Sequence, residues 1–483
     1  MARYADGLIA NLHPYSPAKR PSTHQRKPIP MAIRRRAAAA LGLHRTELRA
    51  WAMYDWANSA MVTTVIAAVF PIYYYNVAGA GLPEGVATFR FSIATTIGLG
   101  VIAILAPILG AAADFSAAKK RMLGIFLLMG VVAVGMMFFI QQGDWLLASI
   151  LFIVANIGAG GSFVFYDSLL PHIATSEEMD RVSTAGYALG YLGGGLLLAL
   201  NLAWITMPGA FGLPAGPDLT PSEATLPARL ALLSVSVWWL LFAIPLFRYV
   251  PEPPRALEPD ESQRESPVRA AFVRLGETFR ELRGYKQAFL MLLAFLIYND
   301  GIGTIVKMAT IYGSELGIDQ NTMILAILIV QFVGIPFSFA FGGLAGRIGA
   351  KKAIFGGLLV YAGISVLGYF MTSATHFMIL AALVGMVQGG TQALSRSLFA
   401  SMIPRHKSGE FFGFFAVFEK FAGIFGPAIF ALTIVLTDSS RNAILSIILF
   451  FIVGAVLLAM VDVDEGRRIA KEVDDEVLVP SGA

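Results

Sequence analysis

Apolar residues in this chain come in twelve long runs, separated by short charged or Gly/Pro-rich breaks. The runs are 50–77, 88–113, 121–142, 145–172, 183–206 and 229–249, then 286–313, 321–345, 353–373, 377–403, 409–437 and 441–461. At about 1.5 Å rise per residue, roughly 20 apolar residues cross about 30 Å of hydrocarbon. The pattern predicts an all-α membrane protein of twelve transmembrane helices. Residues 250–285, rich in Pro, Glu and Arg, divide the runs six and six. The expected organisation is two six-helix bundles, 50–249 and 286–461, flanked by an N-terminal tail (1–49) and a C-terminal tail (462–483).

The basic residues orient the spans. Arg and Lys crowd the N-terminal tail (Arg20, Lys27, Arg34, Arg35, Arg36, Arg45, Arg49), the turn after the second run (Lys119, Lys120, Arg121) and the central linker (Arg255, Arg264, Arg269, Arg274, Arg280, Arg283). They recur at Arg347, Lys351, Lys352, Arg405, Lys407, Arg467, Arg468 and Lys471, while the alternate loops hold Arg90, Arg229 and Arg441. Twelve spans put every cluster on one side, which the positive-inside rule makes cytoplasmic. A multi-pass protein of the inner cell membrane with both termini cytoplasmic is expected. The first 30 residues lack the apolar core of a cleavable signal peptide and read as disordered, with Met31 a second plausible start. In the linker, Val268, Phe272, Leu275, Phe279 and Leu282 recur at helical spacing, which suggests an amphipathic helix on the inner leaflet; a solvated linker is the alternative. The acidic tail from Asp462 is expected to be solvated.

Composition narrows the chemistry. Charged residues make up 14% of the chain against about 25% in soluble proteins, so the missing polar surface must face lipid. Cysteine is absent and the six histidines have no partner at metal-ligand spacing. Gly193-Gly194-Gly195 and Gly158-Ala-Gly160-Gly161 lie inside runs, where they let helices approach, and no phosphate-binding loop is present. No cofactor, metal, nucleic-acid partner or catalytic reaction is expected.

The halves read as diverged repeats. Gly110-Ala-Ala-Ala-Asp114 precedes Lys119-Lys120-Arg121, and Gly342-Gly-Leu-Ala-Gly346 precedes Arg347 and Lys351-Lys352. Asp167-Ser-Leu-Leu-Pro171 matches Ala400-Ser-Met-Ile-Pro404, and the two landmarks are displaced by 232 and 233 residues. Parallel six-span repeats suit a transporter.

These loop strings resemble the motif that the major facilitator superfamily carries after its second and eighth spans. Four longer strings are more specific. They are Trp51-Ala-Met-Tyr-Asp55-Trp-Ala-Asn58-Ser59, Arg181-Val-Ser-Thr-Ala-Gly186-Tyr-Ala-Leu-Gly190-Tyr-Leu-Gly-Gly-Gly195, Tyr298-Asn299-Asp300-Gly301 and Gln388-Gly-Gly-Thr-Gln392-Ala-Leu-Ser-Arg396-Ser. Together, over roughly 47–461, they resemble the bacterial branch related to the yeast vacuolar amino-acid effluxers of autophagy. The resemblance implies the twelve-span fold, a transport role and a central cavity lined by spans one, four, seven and ten. It also implies that Gly110, Asp114, Lys119, Lys120, Arg121 and Arg347 form a cytoplasmic latch. An anion is favoured at a helix N-terminus, which is how Asp114 would act. Gly346 stands where the second motif usually has an acid, so an asymmetric latch is expected.

A charge at the bilayer centre costs about 2.5–3.5 kcal/mol on insertion scales and so needs a partner, water or a purpose. Asn156, Asn299, Asp300, Gln388 and Gln392 fall near mid-depth and are expected to form the substrate site; amides suit a zwitterion or polyol. The alternative for each amide is interhelical bonding. Asp55, Asp167 and Arg396 lie nearer the cytoplasm, as proton carriers or a gate ion pair. Glu419 falls within reach of Arg396. Lys420 or Lys307 is the candidate partner of Asp300. Glu419 and Lys420, about 100° apart on one helix, are not expected to pair. Tyr73, Tyr74 and Tyr75 read as an interfacial belt. The function expected is secondary transport of a small polar solute by alternating access, driven by protons, with amino-acid efflux the candidate activity. An exporter of lipid-like molecules and a non-transporting receptor are the alternatives.

Overall fold

The computed structural model describes residues 38–83, 86–254, 276, 284–318, 320–423 and 425–478. Residues 1–37 and most of the linker, with its expected amphipathic helix, lie outside that set. Among the described residues, twelve helices are long and apolar enough to cross a membrane. Spans one to six are Thr46–Ala78, Phe89–Ser116, Lys119–Phe139, Trp145–Ile173, Met179–Thr206 and Pro221–Tyr249. Spans seven to twelve are Lys286–Ala309, Leu325–Ile348, Ala350–Tyr369, Ala374–Ala400, Arg405–Thr437 and Ser440–Ala459. Large apolar side chains such as Ile104, Leu359 and Val435 are 70–76% exposed on the outer faces. In a bilayer those faces meet acyl chains.

Three spans are irregular. Span one passes through a π-helical stretch, Met61–Ala68. Span eleven breaks into Ser408–Phe421 and Phe425–Thr437, and span twelve into Ser440–Ser446 and Ile448–Met460. Irregular backbone in a membrane needs partners for its freed groups, and span eleven has one, described below. Beyond span twelve, the helix Val463–Leu478 replaces the expected solvated tail. It is docked on the turn between spans ten and eleven, where Asp474 accepts from the Arg405 N–H (2.8 Å) and Arg467 donates to Ser401 (3.2 Å).

Packing within the first half pairs spans one with five and six, two with four, and three with four and six; in the second half, eight pairs with ten and seven with twelve. Small residues make this possible. A Cβ on Gly158 would lie 2.5 Å from the Gly130 nitrogen and 2.8 Å from the Phe126 carbonyl oxygen. The repeat survives in detail. Lys120, opening span three, donates to the Phe247 and Val250 carbonyls at 3.0 and 2.5 Å, closing span six. Lys351, the second residue of span nine as Lys120 is of span three, though one place off the 232-residue register, does the same for span twelve through Ala459 (2.9 Å) and Val461 (2.8 Å). Cations there suit the negative end of the helix dipole.

The halves meet along two seams, span two against span eleven and span five against span eight, with spans four and ten alongside. Contact starts at the basic-loop side, where Gly110 abuts Gly409 and Thr184 abuts Gly342. It continues inward to Tyr191 against Gly334 and Gly389, and to Gly195 against Gln331. The bundle is therefore closed at its basic-loop end.

The tyrosine belt is corrected. Tyr73 and Tyr74 are buried, bonded to the Ile140 carbonyl (2.7 Å) and to Ser149 (2.6 Å), and only Tyr75 of the three faces outward. Successive residues on a helix cannot share one face.

Overpacking a helix seam costs about 1–3 kcal/mol. Gly158→Leu should lower the thermal midpoint of the detergent-purified protein by several degrees, whereas Gly100→Ala, with nothing within 4 Å of the added methyl, should leave it unchanged or raise it.

Candidate functional site

Arg396 sits in span ten, 3% exposed, and reaches out of its own half. Its Nη1 donates to Asp167 Oδ1 of span four at 2.9 Å, and its Nη2 to Asp55 Oδ2 of span one at 3.3 Å. Its Nε donates to Ser183 Oγ of span five at 2.9 Å, and Nη2 also reaches the Ser183 carbonyl at 3.0 Å. One guanidinium thus fastens three spans of the first half to the second. Only a planar fork with several donors can do this. Trp51, Tyr166 and Tyr187 enclose it, with ring centroids 4.8, 5.6 and 4.7 Å from Cζ. The Tyr166 hydroxyl donates to Asp55 Oδ2 at 2.8 Å, and Trp51 stacks on Tyr166. Gly186 is needed here, since a Cβ would lie 2.4 Å from Asp55 Oδ2. Nearby, the Ser397 hydroxyl donates to Asp180 at 2.6 Å across the same interface.

A second contact lies at the span-eleven N-terminus. Asp114 accepts from the Gly409 N–H (3.1 Å) and the Glu410 N–H (2.9 Å) and pairs with Lys119 at 2.6 Å. The Lys119 ammonium also donates to Ser408 Oγ (2.7 Å) and lies 3.0 Å from His172 Nε2. Gly110 permits the approach, because its Cβ would collide with the Gly409 carbonyl. Of the six residues expected in this latch, Gly110, Asp114 and Lys119 take part. Lys120 is diverted to the end of span six, and Arg121 and Arg347 are exposed. Gly346 faces the Arg181 guanidinium rather than completing a second acidic cap.

The mid-depth groups divide. Gln392 Nε2 lies 3.4 Å from Asn299 Oδ1, joining spans seven and ten, and the buried Gln388 Oε1 has no hydrogen-bond partner. Asn156 is elsewhere: it packs on Gly98 of span two and donates to the Phe152 carbonyl of its own helix at 2.8 Å. Asp300 is also turned away. It is fully buried, and its oxygens accept from the Phe425 N–H (3.0 Å) and the Gly426 N–H (3.0 and 3.1 Å). It caps the second segment of span eleven, which explains how the break survives inside the membrane. The Lys307 ammonium stands at the same break, 2.7 Å from where a Cβ on Gly423 would lie, so Lys307 and not Lys420 accompanies Asp300. Lys420 pairs with Glu419 at 3.5 Å, contrary to expectation. Their Cβ atoms diverge, but two long flexible chains bend back toward each other. Glu419 does not pair with Arg396, whose donors are taken by Asp55, Asp167 and Ser183.

Sequence reasoning missed Ser183, Tyr166, Tyr187, His172 and Ser408. Tyr187 and Ser183 lie within the string opening span five, and Tyr166 adjoins Asp167.

Two six-helix halves, joined through breakable ion pairs, define a membrane transporter of the major facilitator type. The profile described as "Vacuole effluxer Atg22 like" matches residues 83–471. The chain belongs to that Atg22-like family. An "Uncharacterized MFS-type transporter YxiO" of Bacillus subtilis is 37% identical over 88% of this chain and 97% of its own length. An "Autophagy-related protein 22" of Yarrowia lipolytica is 25% identical over 80% of this chain and 77% of its own. Among solved structures, the proton:xylose symporter XylE bound to 6-bromo-6-deoxy-D-glucose superposes with a TM-score of 0.66 at 15% identity, covering 91% of this chain and 99% of that one. FucP in its outward conformation gives 0.63 at 13% identity, with 86% and 100% covered. Both share the fold.

Removing one partner of a buried ion pair typically costs about 3–5 kcal/mol. Arg396→Ala, which strands two carboxylates, should open the basic-loop end, seen as faster thiol labelling of a cysteine placed at Ser397. Arg396→Lys should label at an intermediate rate, since one ammonium cannot serve all three spans. Asp300→Ala should strip the cap from span eleven and lower stability by about 1–3 kcal/mol, read as an earlier thermal midpoint.

Proposed function

We propose that this chain is a secondary active transporter of a small polar solute, working by alternating access and coupled to protons. The observation that carries this reading is the position of Arg396: a buried charge whose acceptors are all on the opposite half. Such a contact is stable when closed and is lost as a unit when the halves rock apart. Asp55 and Asp167 are the proposed proton carriers. A proton on either removes half of the charge that holds Arg396, so acid on that side favours release and alkali favours closure. The basic-loop end is proposed to be cytoplasmic, from the charge bias. The closed end described above would then face the cytoplasm.

The solute site is proposed around Asn299, Gln388 and Gln392, where amides offer donors and acceptors. Asn156 and Asp300 support the surrounding helices instead. Amino-acid efflux is the candidate activity. The family description "vacuole effluxer" supports it, and the donor–acceptor pair Asn299–Gln392 suits the ammonium and carboxylate of a zwitterion.

A second reading, export of lipid-like molecules, is favoured by one feature. A groove of about 550 Å³ between spans five and six is lined by Trp204, Phe211, Trp238, Phe242 and aliphatic residues. It would admit an acyl chain from the side.

Proteoliposomes loaded with labelled amino acids test both. Efflux should respond to an imposed pH step, and Gln392→Ala should raise KM about tenfold, equivalent to about 1.4 kcal/mol of lost contact. Transport of no amino acid, alongside lipid-probe flux that Trp238→Ala abolishes, would favour the second reading.

A further inference from the structure

His172 closes the last turn of span four and sits half-buried beside the Asp114–Lys119 contact, although nothing in the transport reading requires a histidine there. Its Nε2 lies 3.0 Å from Lys119 Nζ and 3.1 Å from Ser408 Oγ. The hydrogens can be assigned. Ser408 donates its single hydrogen to the Ser168 carbonyl at 2.9 Å. Its oxygen then accepts from Lys119. An ammonium has three hydrogens and no lone pair. Those of Lys119 go to Asp114 Oδ1, Ser408 Oγ and His172 Nε2. Nε2 must therefore be the bare nitrogen, and the ring hydrogen sits on Nδ1, with the Arg405 backbone as its partner.

We propose that His172 makes this latch proton-sensitive. A proton on Nε2 turns the acceptor of Lys119 into a second cation 3.0 Å away. Lys119 must leave, and Asp114 and Ser408 lose the ammonium that ties spans two, three and four to the start of span eleven. Lys119, Arg405 and His406 all oppose a further positive charge there, and the acids nearby are Asp114, Glu252 and the buried Glu410 at the start of span eleven. From span two, Asp114 has its oxygens on Lys119, Gly409 N–H and Glu410 N–H. The turn before span eleven presents Arg405 and His406, followed by the buried Lys407. His406 itself faces Asp474 of the C-terminal helix at 3.2 Å. Beyond span six, Glu252 is bonded to the Lys120 N–H at 3.0 Å. The idea takes as given that the halves part on this side, and it adds a proton site distinct from the Asp55–Asp167 pair.

The chain contains no cysteine, so Arg121→Cys and Lys352→Cys, both exposed on the basic-loop side of opposite halves, can carry spin labels without background. Distances are measured in the full chain in nanodiscs at about pH 8 and about pH 5, spanning the imidazole range. The Asp55→Asn/Asp167→Asn/Arg396→Gln background removes the titration of the other site without stranding a charge there. There, acid should raise the long-distance population about tenfold. His172→Gln should stay closed at both pH values, because its Oε1 still accepts from Lys119 and takes up no proton; His172→Asn serves if the glutamine variant does not fold. An acid response that persists without the histidine overturns the proposal, as does a variant open at both pH values. Lys119→Ala separates the two levels of the reading. If it opens the labelled pair while the histidine-containing chain ignores pH, only the role of His172 falls. If no variant opens the pair, the gate reading falls and this proposal with it.

Discussion

Charge inside a bilayer must be answered by charge or hydrogen bonds, and for Arg396 the answer comes from the other half of the molecule. Among the described residues Arg396 has no acidic partner on its own side; both its carboxylates and its serine belong to spans one, four and five. Asp114 also reaches across, to the two amide donors that open span eleven, besides its pair with Lys119 in its own half. Apolar packing alone is a weak adhesive between helices in lipid, because acyl chains are equally apolar. The polar contacts therefore decide whether the halves are together or apart. In the proposed cycle these contacts would be made in the closed geometry and lost together, which would give the interface two states rather than a continuum.

The internal repeat shows which parts of that interface are scaffold and which are device. Lys120 and Lys351 do the same work in both halves, closing the last turn of the sixth helix of each repeat. The gate elements do not repeat. Asp114 has a glycine, Gly346, as its counterpart, and the span-five N-terminus is held by Asp180 against Ser397 instead. Span eleven, gripped at its start by Asp114, is also the span that breaks at mid-depth and is re-capped by Asp300. One helix is thus held at two points by carboxylates from two different halves, an arrangement suited to an element that bends when one grip is released.

The spans were legible in the sequence because lipid imposes a length and an apolarity on every crossing, and those survive any change of packing. The seam glycines and the basic side were legible for the same reason. What remained hidden depends on direction. Asp300 and Asn299 are neighbours, yet one caps a broken helix and the other faces Gln392, since adjacent positions on a helix diverge by about 100°. That divergence does not keep Glu419 from Lys420, whose long chains bend together, and it lets Tyr73 and Tyr74 both turn inward, onto the end of span three and the start of span four. The break in span eleven is marked by Gly423, with φ +125°, and by Pro427, which is tolerated in the first turn of a new helix but would clash with the Gly423 carbonyl in a continuous one. His172 was passed over because histidine partners were sought at metal-ligand spacing, while its real partners come from spans three and eleven.

The account stands on the separation of the halves at the basic-loop end during each cycle. Asp180→Cys and Ser397→Cys would place thiols on the two sides of that seam, where the native side chains lie 2.6 Å apart. In proteoliposomes, joining them with a short, reducible bis-thiol reagent should stop solute flux, and reduction should restore it. Flux that continues unchanged through the cross-linked protein would contradict the account.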